Sequence, residues 1–89
     1  MKRFLFLLSL LVTTPAALAQ SYATTCTREY WSSVNVRTQP STRATIIASV
    51  PNESYVRVMG WVYGADGLRW YRIEHQGIVG FARSDYLCR

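Results

Sequence analysis

The chain has 89 residues, with ten Lys and Arg against five Asp and Glu, and only two cysteines and one histidine. That length suits one domain with a thin core, since so short a chain buries only about 60% of its unfolded surface. The net charge of +5 suits either an acidic or peptidic partner or a solvated basic surface with no ligand, and the cysteine and histidine counts fall short of a closed metal site.

In chain order, Lys2 and Arg3 begin a positive start, residues 4–12 are apolar, and Ala17-Leu18-Ala19 supplies small residues for cleavage. A membrane span needs about 20 apolar residues, and Thr13, Thr14 and Pro15 interrupt this run first. Residues 1–19 therefore read as a signal peptide cut after Ala19, with no membrane span afterwards. The product is expected to be soluble and periplasmic or secreted. Export makes nucleic acid an unsuitable partner. Loss of Lys2 and Arg3 leaves eight cations, all arginine, against five acids, a net +3. Guanidinium groups stack on rings and pair bidentately with carboxylates.

Residues 20–32 form a polar, weakly patterned lead-in that is expected to be loose until Cys26 ties it down. Cys26 and Cys88 lie near the two ends of the exported chain, and an oxidising compartment favours pairing them. In the loop-entropy description the bridge stabilises the fold by about 4 kcal/mol. Two free thiols, or half of a metal site, are the alternative. Val34 and Val36 alternate with Asn35 and Arg37, the period of a half-buried strand. Residues 38–45 are loop chemistry around Pro40, and residues 46–50 form a second strand. Residues 55–63 carry the longest strand signal, with Val56, Val58, Gly60 and Val62 on one face. Tyr55, Arg57, Met59, Trp61 and Tyr63 occupy the other.

A turn at residues 64–67 sends the chain back through residues 68–75. An unbroken ladder then sets Tyr63 against Leu68, Trp61 against Trp70, Val58 against Ile73 and Arg57 against Glu74. Gln76-Gly77 makes the next tight turn. Residues 78–83 follow, with Ile78, Gly80 and Ala82 on the Ile73 face, and Gly80 is expected to allow close approach beside Tyr71 or Ile73. Ser84, Asp85, Tyr86 and Leu87 read as a short helical turn that brings Leu87 inward and Cys88 toward Cys26. About five short strands with turn chemistry between them indicate a small antiparallel barrel.

Asn35-Val36-Arg37, Pro40-Ser41-Thr42, Trp70-Tyr71-Arg72-Ile73, Gly77-Ile78-Val79-Gly80-Phe81 and Tyr86-Leu87, in that order, resemble the bacterial SH3 (SH3b) family over residues 33–87. The resemblance implies an all-β, SH3-like barrel over residues 33–89, closed by a short helical turn, acting as a binding module rather than an enzyme. Its implied ligands are cell-wall peptide, peptidoglycan or an envelope protein. Three positions depart from the family: Gln39 precedes Pro40 in place of glycine, Asn52-Glu53-Ser54 lacks a favoured glycine, and Phe81 replaces the usual tryptophan. That aromatic often borders the ligand groove in the family.

The face opposite the valines gathers Met59, Trp61, Tyr63, Trp70, Val79 and Phe81, too apolar to stand open without use. Either Tyr30-Trp31 and the Pro40 loop cover it, or it is a stacking platform edged by Arg57, Arg72 and Arg83. The candidate ligand-binding residues are Trp61, Tyr63, Trp70, Phe81, Arg37 and Arg72. Arg37 reads either as a carboxylate contact or as a brace on loop carbonyls. Catalysis has little support: His75 is the single base candidate, in a strand end beside a turn, and no cofactor or metal motif occurs. The function expected is exported binding of wall peptide or an envelope protein, with an adaptor or inhibitor acting through the aromatic face as the alternative and a small hydrolase as the distant one.

Overall fold

The computed structural model describes residues 21–89, and the expected leader, residues 1–19, lies outside the described residues. Seven strands occur: β1 (Ser21–Thr25), β2 (Ser33–Arg37), β3 (Ile46–Pro51), β4 (Tyr55–Tyr63), β5 (Arg69–His75), β6 (Ile78–Arg83) and β7 (Leu87–Cys88). A 3-10 turn at Ser84–Tyr86 is the helical turn expected there, and Leu87 beyond it is buried. The strands pair antiparallel in the order β3-β2-β6-β5-β4-β1-β7, an all-β, SH3-like arrangement.

Two of the seven strands were not expected. β1 replaces the loose lead-in: Ala23 and Thr25 alternate inward, and the strand pairs with both β4 and β7. Its inward side chains are small, so the hydrophobic period that marks a strand is faint in the sequence.

Hydrogen bonds do not close the sheet, and β3 and β7 are its two rims. The β3 rim is drawn onto the far end of the sheet at Thr25 of β1, the neighbour of β7, and Thr25 is wholly buried. Its hydroxyl donates to the Pro51 carbonyl at 2.7 Å and accepts the Ser54 N–H at 2.8 Å. Its backbone N–H donates to the Ser54 carbonyl and its own carbonyl accepts the Glu53 N–H. Glu53 adopts the left-handed conformation in this turn, with φ of 63°, leaving Asn52 free to bond elsewhere. Cys26 and Cys88 form the expected disulfide beside this seam, with Cα atoms 5.8 Å apart.

The core is built from Val34, Val36, Val50, Val56, Val58 and Ile73, with Ala23, Ala82 and Leu87 filling the gaps. Each large side chain removed from water contributes about 1.5–3 kcal/mol. Gly80 sits where β6 meets β2: a Cβ there would lie 2.7 Å from Val36 Cγ1 and 2.8 Å from the Arg37 carbonyl. The close approach is thus to β2, on the other side of β6 from the one the sequence suggests.

The β4–β5 ladder begins as expected and then slips. Arg57 opposes Glu74, with Nε 3.2 Å from Oε1, and Val58 opposes Ile73. The register then shifts at Met59, so that Trp61 opposes Tyr71, Val62 opposes Trp70 and Tyr63 opposes Arg69. One extra residue in a strand exchanges the faces of everything beyond it. Val62 therefore leaves the valine face and is exposed, and Trp61 is not Trp70's partner.

Candidate functional site

The bulge divides the expected aromatic face in two. Trp61 and Tyr63 stand on the side shared with Tyr71, beyond the end of the core, and are 47% and 69% exposed. Their rings meet edge to face at 5.1 Å, and the Arg69 guanidinium lies 5.0 Å from the Trp61 ring centre. On the opposite side, Arg37, Phe81 and Arg72 form one row across β2, β6 and β5. Directly opposed residues share a face, so this row brings together three of the six expected site residues. Phe81 is half-buried between the two arginines, and Arg72 is exposed.

Trp70 lies on this second side but is 1% exposed, so it does not belong to an open platform. Gly64 is wedged over it: a Cβ at that position would fall 2.5 Å from the indole and 2.6 Å from the Pro40 carbonyl. The loop around Pro40 thus does cover part of the expected face. Asp66 accepts the Trp70 indole N–H at 3.2 Å and the Leu68 N–H at 3.0 Å. The Leu68 bond chiefly, then the indole bond, hold its carboxyl below the ordinary carboxylate value.

Tyr30 and Trp31 take no part in covering the face, so that half of the covering alternative does not hold. They pack edge to face on each other at 5.1 Å and are 79% and 74% exposed. The segment that carries them is pinned at both ends. Cys26 is in the disulfide, Asn52 Oδ1 accepts the Thr27 N–H at 2.8 Å, and the Asn52 N–H donates to the Ser32 carbonyl at 3.1 Å.

Between this segment, the Pro40 loop and the end of β6 lies a cleft of about 310 Å³, with Trp70 at its base and Arg28, Arg37, Thr42, Arg83 and Tyr86 around it. Arg37 is braced: its Nη1 donates to the Thr42 and Ala44 carbonyls at 2.8 and 3.0 Å, the second of the two roles open for it in the sequence. Arg83 is neutralised by a bidentate pair with Asp85 at 2.8 and 2.9 Å and lies over the Tyr86 ring at 4.9 Å. The Asp85 bond raises its already high pKa. Arg28 has no ion-pair partner among the described residues. Sequence reasoning missed Arg28 and Tyr86, and their one sequence signal is position, each two residues from a bridged cysteine.

The elements thus combine a curled antiparallel sheet, a long loop after an Asn-Val-Arg strand and a cleft beside that loop. The profile of the bacterial SH3 domain family matches residues 32–87. The chain belongs to the bacterial SH3 domain family. No curated protein and no solved structure gives a significant match to it. Bacterial SH3 domains are binding modules, commonly non-catalytic and commonly directed at cell-wall components. In this bacterial SH3 domain, His75 Nδ1 lies 3.2 Å from the Tyr55 carbonyl oxygen, and both cysteines are bridged. Among the described residues no helix is long and apolar enough to cross a membrane, and no three His, Cys, Asp or Glu side chains gather as a metal site. The disulfide suits an oxidising compartment.

Proposed function

We propose that this bacterial SH3 domain is an exported, non-catalytic module that binds cell-wall peptide in the cleft over Trp70. The observation that carries this reading is the cleft itself: a concave site with the exposed Tyr86 ring and guanidinium groups around it and the sealed Trp70 beneath. Such a site favours a peptide with acidic groups over a neutral glycan. The disulfide and the apolar residues 4–12 support export.

The test is retention of the protein on purified peptidoglycan sacculi across a salt series, beside Thr42→Trp. Thr42 is exposed and its role in bracing Arg37 uses only its carbonyl, so the bulky ring fills the cleft without touching the core. Wild-type retention at low salt, lost in Thr42→Trp at unchanged melting temperature, is the expected result. Absence of wild-type retention ends the reading.

A second reading, docking of an envelope protein, rests on the exposed Trp61, Tyr63 and Arg69 cluster. Exposed aromatic and arginine side chains are the residues that dominate protein interfaces. Crosslinking in an envelope extract then yields one dominant partner, lost on Trp61→Ala.

A further inference from the structure

The family profile begins at residue 32, yet one wall of the cleft is made by residues before it. Thr27, Arg28 and Glu29 line the cleft, and Tyr30 and Trp31 stand exposed next in the chain. Nothing in the fold's core requires this segment to carry two large rings and a cation. It is nevertheless held firmly, by the disulfide at Cys26 and by Asn52 at Thr27 and Ser32. A short loop fixed at both ends presents its side chains with little left to order on binding.

The charges of the cleft are unequal in availability. Arg37 spends its Nη1 on two loop carbonyls, and Arg83 faces the Asp85 carboxylate through two hydrogen bonds. Arg28 makes no ion pair among the described residues, including with Glu29, the one acid of the lining. Arg37, though also without an ion pair among the described residues, is fixed to the loop by those carbonyls. A ligand carboxylate entering the cleft therefore finds at Arg28 a guanidinium with no ion pair among the described residues and no such tether.

Resting on the reading that wall peptide occupies this cleft, we propose that residues 27–31 form a selectivity arm for peptides with a free carboxylate. Arg28 receives the carboxylate in a charge-assisted, two-pronged pair, and the Tyr30–Trp31 rings contact the apolar part of the neighbouring residue. Within the arm Arg28 sets the preference for a free carboxylate, and the rings add affinity common to any peptide in the cleft.

The experiment titrates the purified, disulfide-bonded protein with a synthetic acetyl-Lys-D-Ala-D-Ala and with the same peptide as its C-terminal amide, following tryptophan fluorescence and calorimetry. The acid is expected to bind about tenfold more tightly than the amide, the scale of one charged hydrogen-bonded pair. Arg28→Gln removes that preference, and Tyr30→Ala/Trp31→Ala weakens acid and amide by the same factor. Arg43→Gln, an exposed arginine outside the cleft lining, leaves the preference intact.

Equal binding of acid and amide overturns the proposal, and so does a preference that survives Arg28→Gln. If sacculi retain the wild type but neither peptide binds, the arm fails and the cleft reading stands. If sacculi do not retain the wild type, both fail together.

Discussion

Trp61 and Trp70 face each other in the simplest register of the central hairpin, yet one is half open to water and the other is sealed. Both are tryptophans on β-strands, and both lie within three residues of the same turn. What separates them is one extra residue at Met59, which turns Trp61 to the side beyond the core and leaves Trp70 facing the Pro40 loop and the Gly64 turn. Burial in a sheet this small is decided by which covering segment a face meets. The aromatic identity of the residue does not decide it.

The contrast is broken most directly at Trp70. Trp70→Ala should cost about 4 kcal/mol, most of the stability of so small a domain, because it empties a sealed volume; denaturant melts measure it. A next and smaller effect is expected from Gly64→Ala, whose methyl enters the space between the indole and the Pro40 carbonyl. That overpacking costs about 1–3 kcal/mol and should shift the near-UV circular dichroism of Trp70. A variant as stable as wild type would show that the cover is loose.

Acid sharpens the same comparison. Asp66 and Glu74 both titrate below their ordinary values of 3.8 and 4.5, the second chiefly through the Gly77 N–H and then Arg57. The folded chain therefore holds fewer protons than the unfolded one at these sites. Their stabilisation is complete above about pH 5 and is lost as pH falls through about 4 and below. In Asp66→Asn the melting temperature should fall less between pH 7 and pH 3 than in wild type; an identical fall would remove Asp66 from the account. The smallest effect belongs to Trp61→Ala, which should change stability by less than about 1 kcal/mol, the scale of its stacking with Arg69. A large loss there would mean that Trp61 is not the open member of the pair.

Much of the architecture is legible in the residues themselves. The valine alternation at Val34, Val36, Val56 and Val58, the Gln76-Gly77 turn and the Arg57–Glu74 pairing all appear where the two-residue period and the turn chemistry place them. Gln76 and Gly77 both take positive φ, 51° and 84°, as a type I′ two-residue hairpin turn demands. β1 escapes because alanine and threonine are too small to mark a buried face by hydropathy. The bulge escapes because Met59 fits either side of a strand, and no residue type announces an insertion of one.

The site was legible only in part, for the same reason. Arg37, Phe81 and Arg72 come into one row because they lie upstream of the bulge or on other strands. Trp61 and Tyr63, downstream of it, leave for the other side. The Arg28 wall depends on a disulfide and on Asn52 reaching back across the chain, contacts between distant positions that no local pattern encodes.

Thr25 carries one more consequence. A ladder that stops short of meeting itself has a seam, and here an alcohol with its flanking amides sews it, with Asn52 adding a stitch to Thr27. Thermal breathing of the cylinder will begin there, so deuterium will enter the Glu53 and Ser54 amides before those of Ile73 and Ala82, and a valine at position 25 will widen that gap in time.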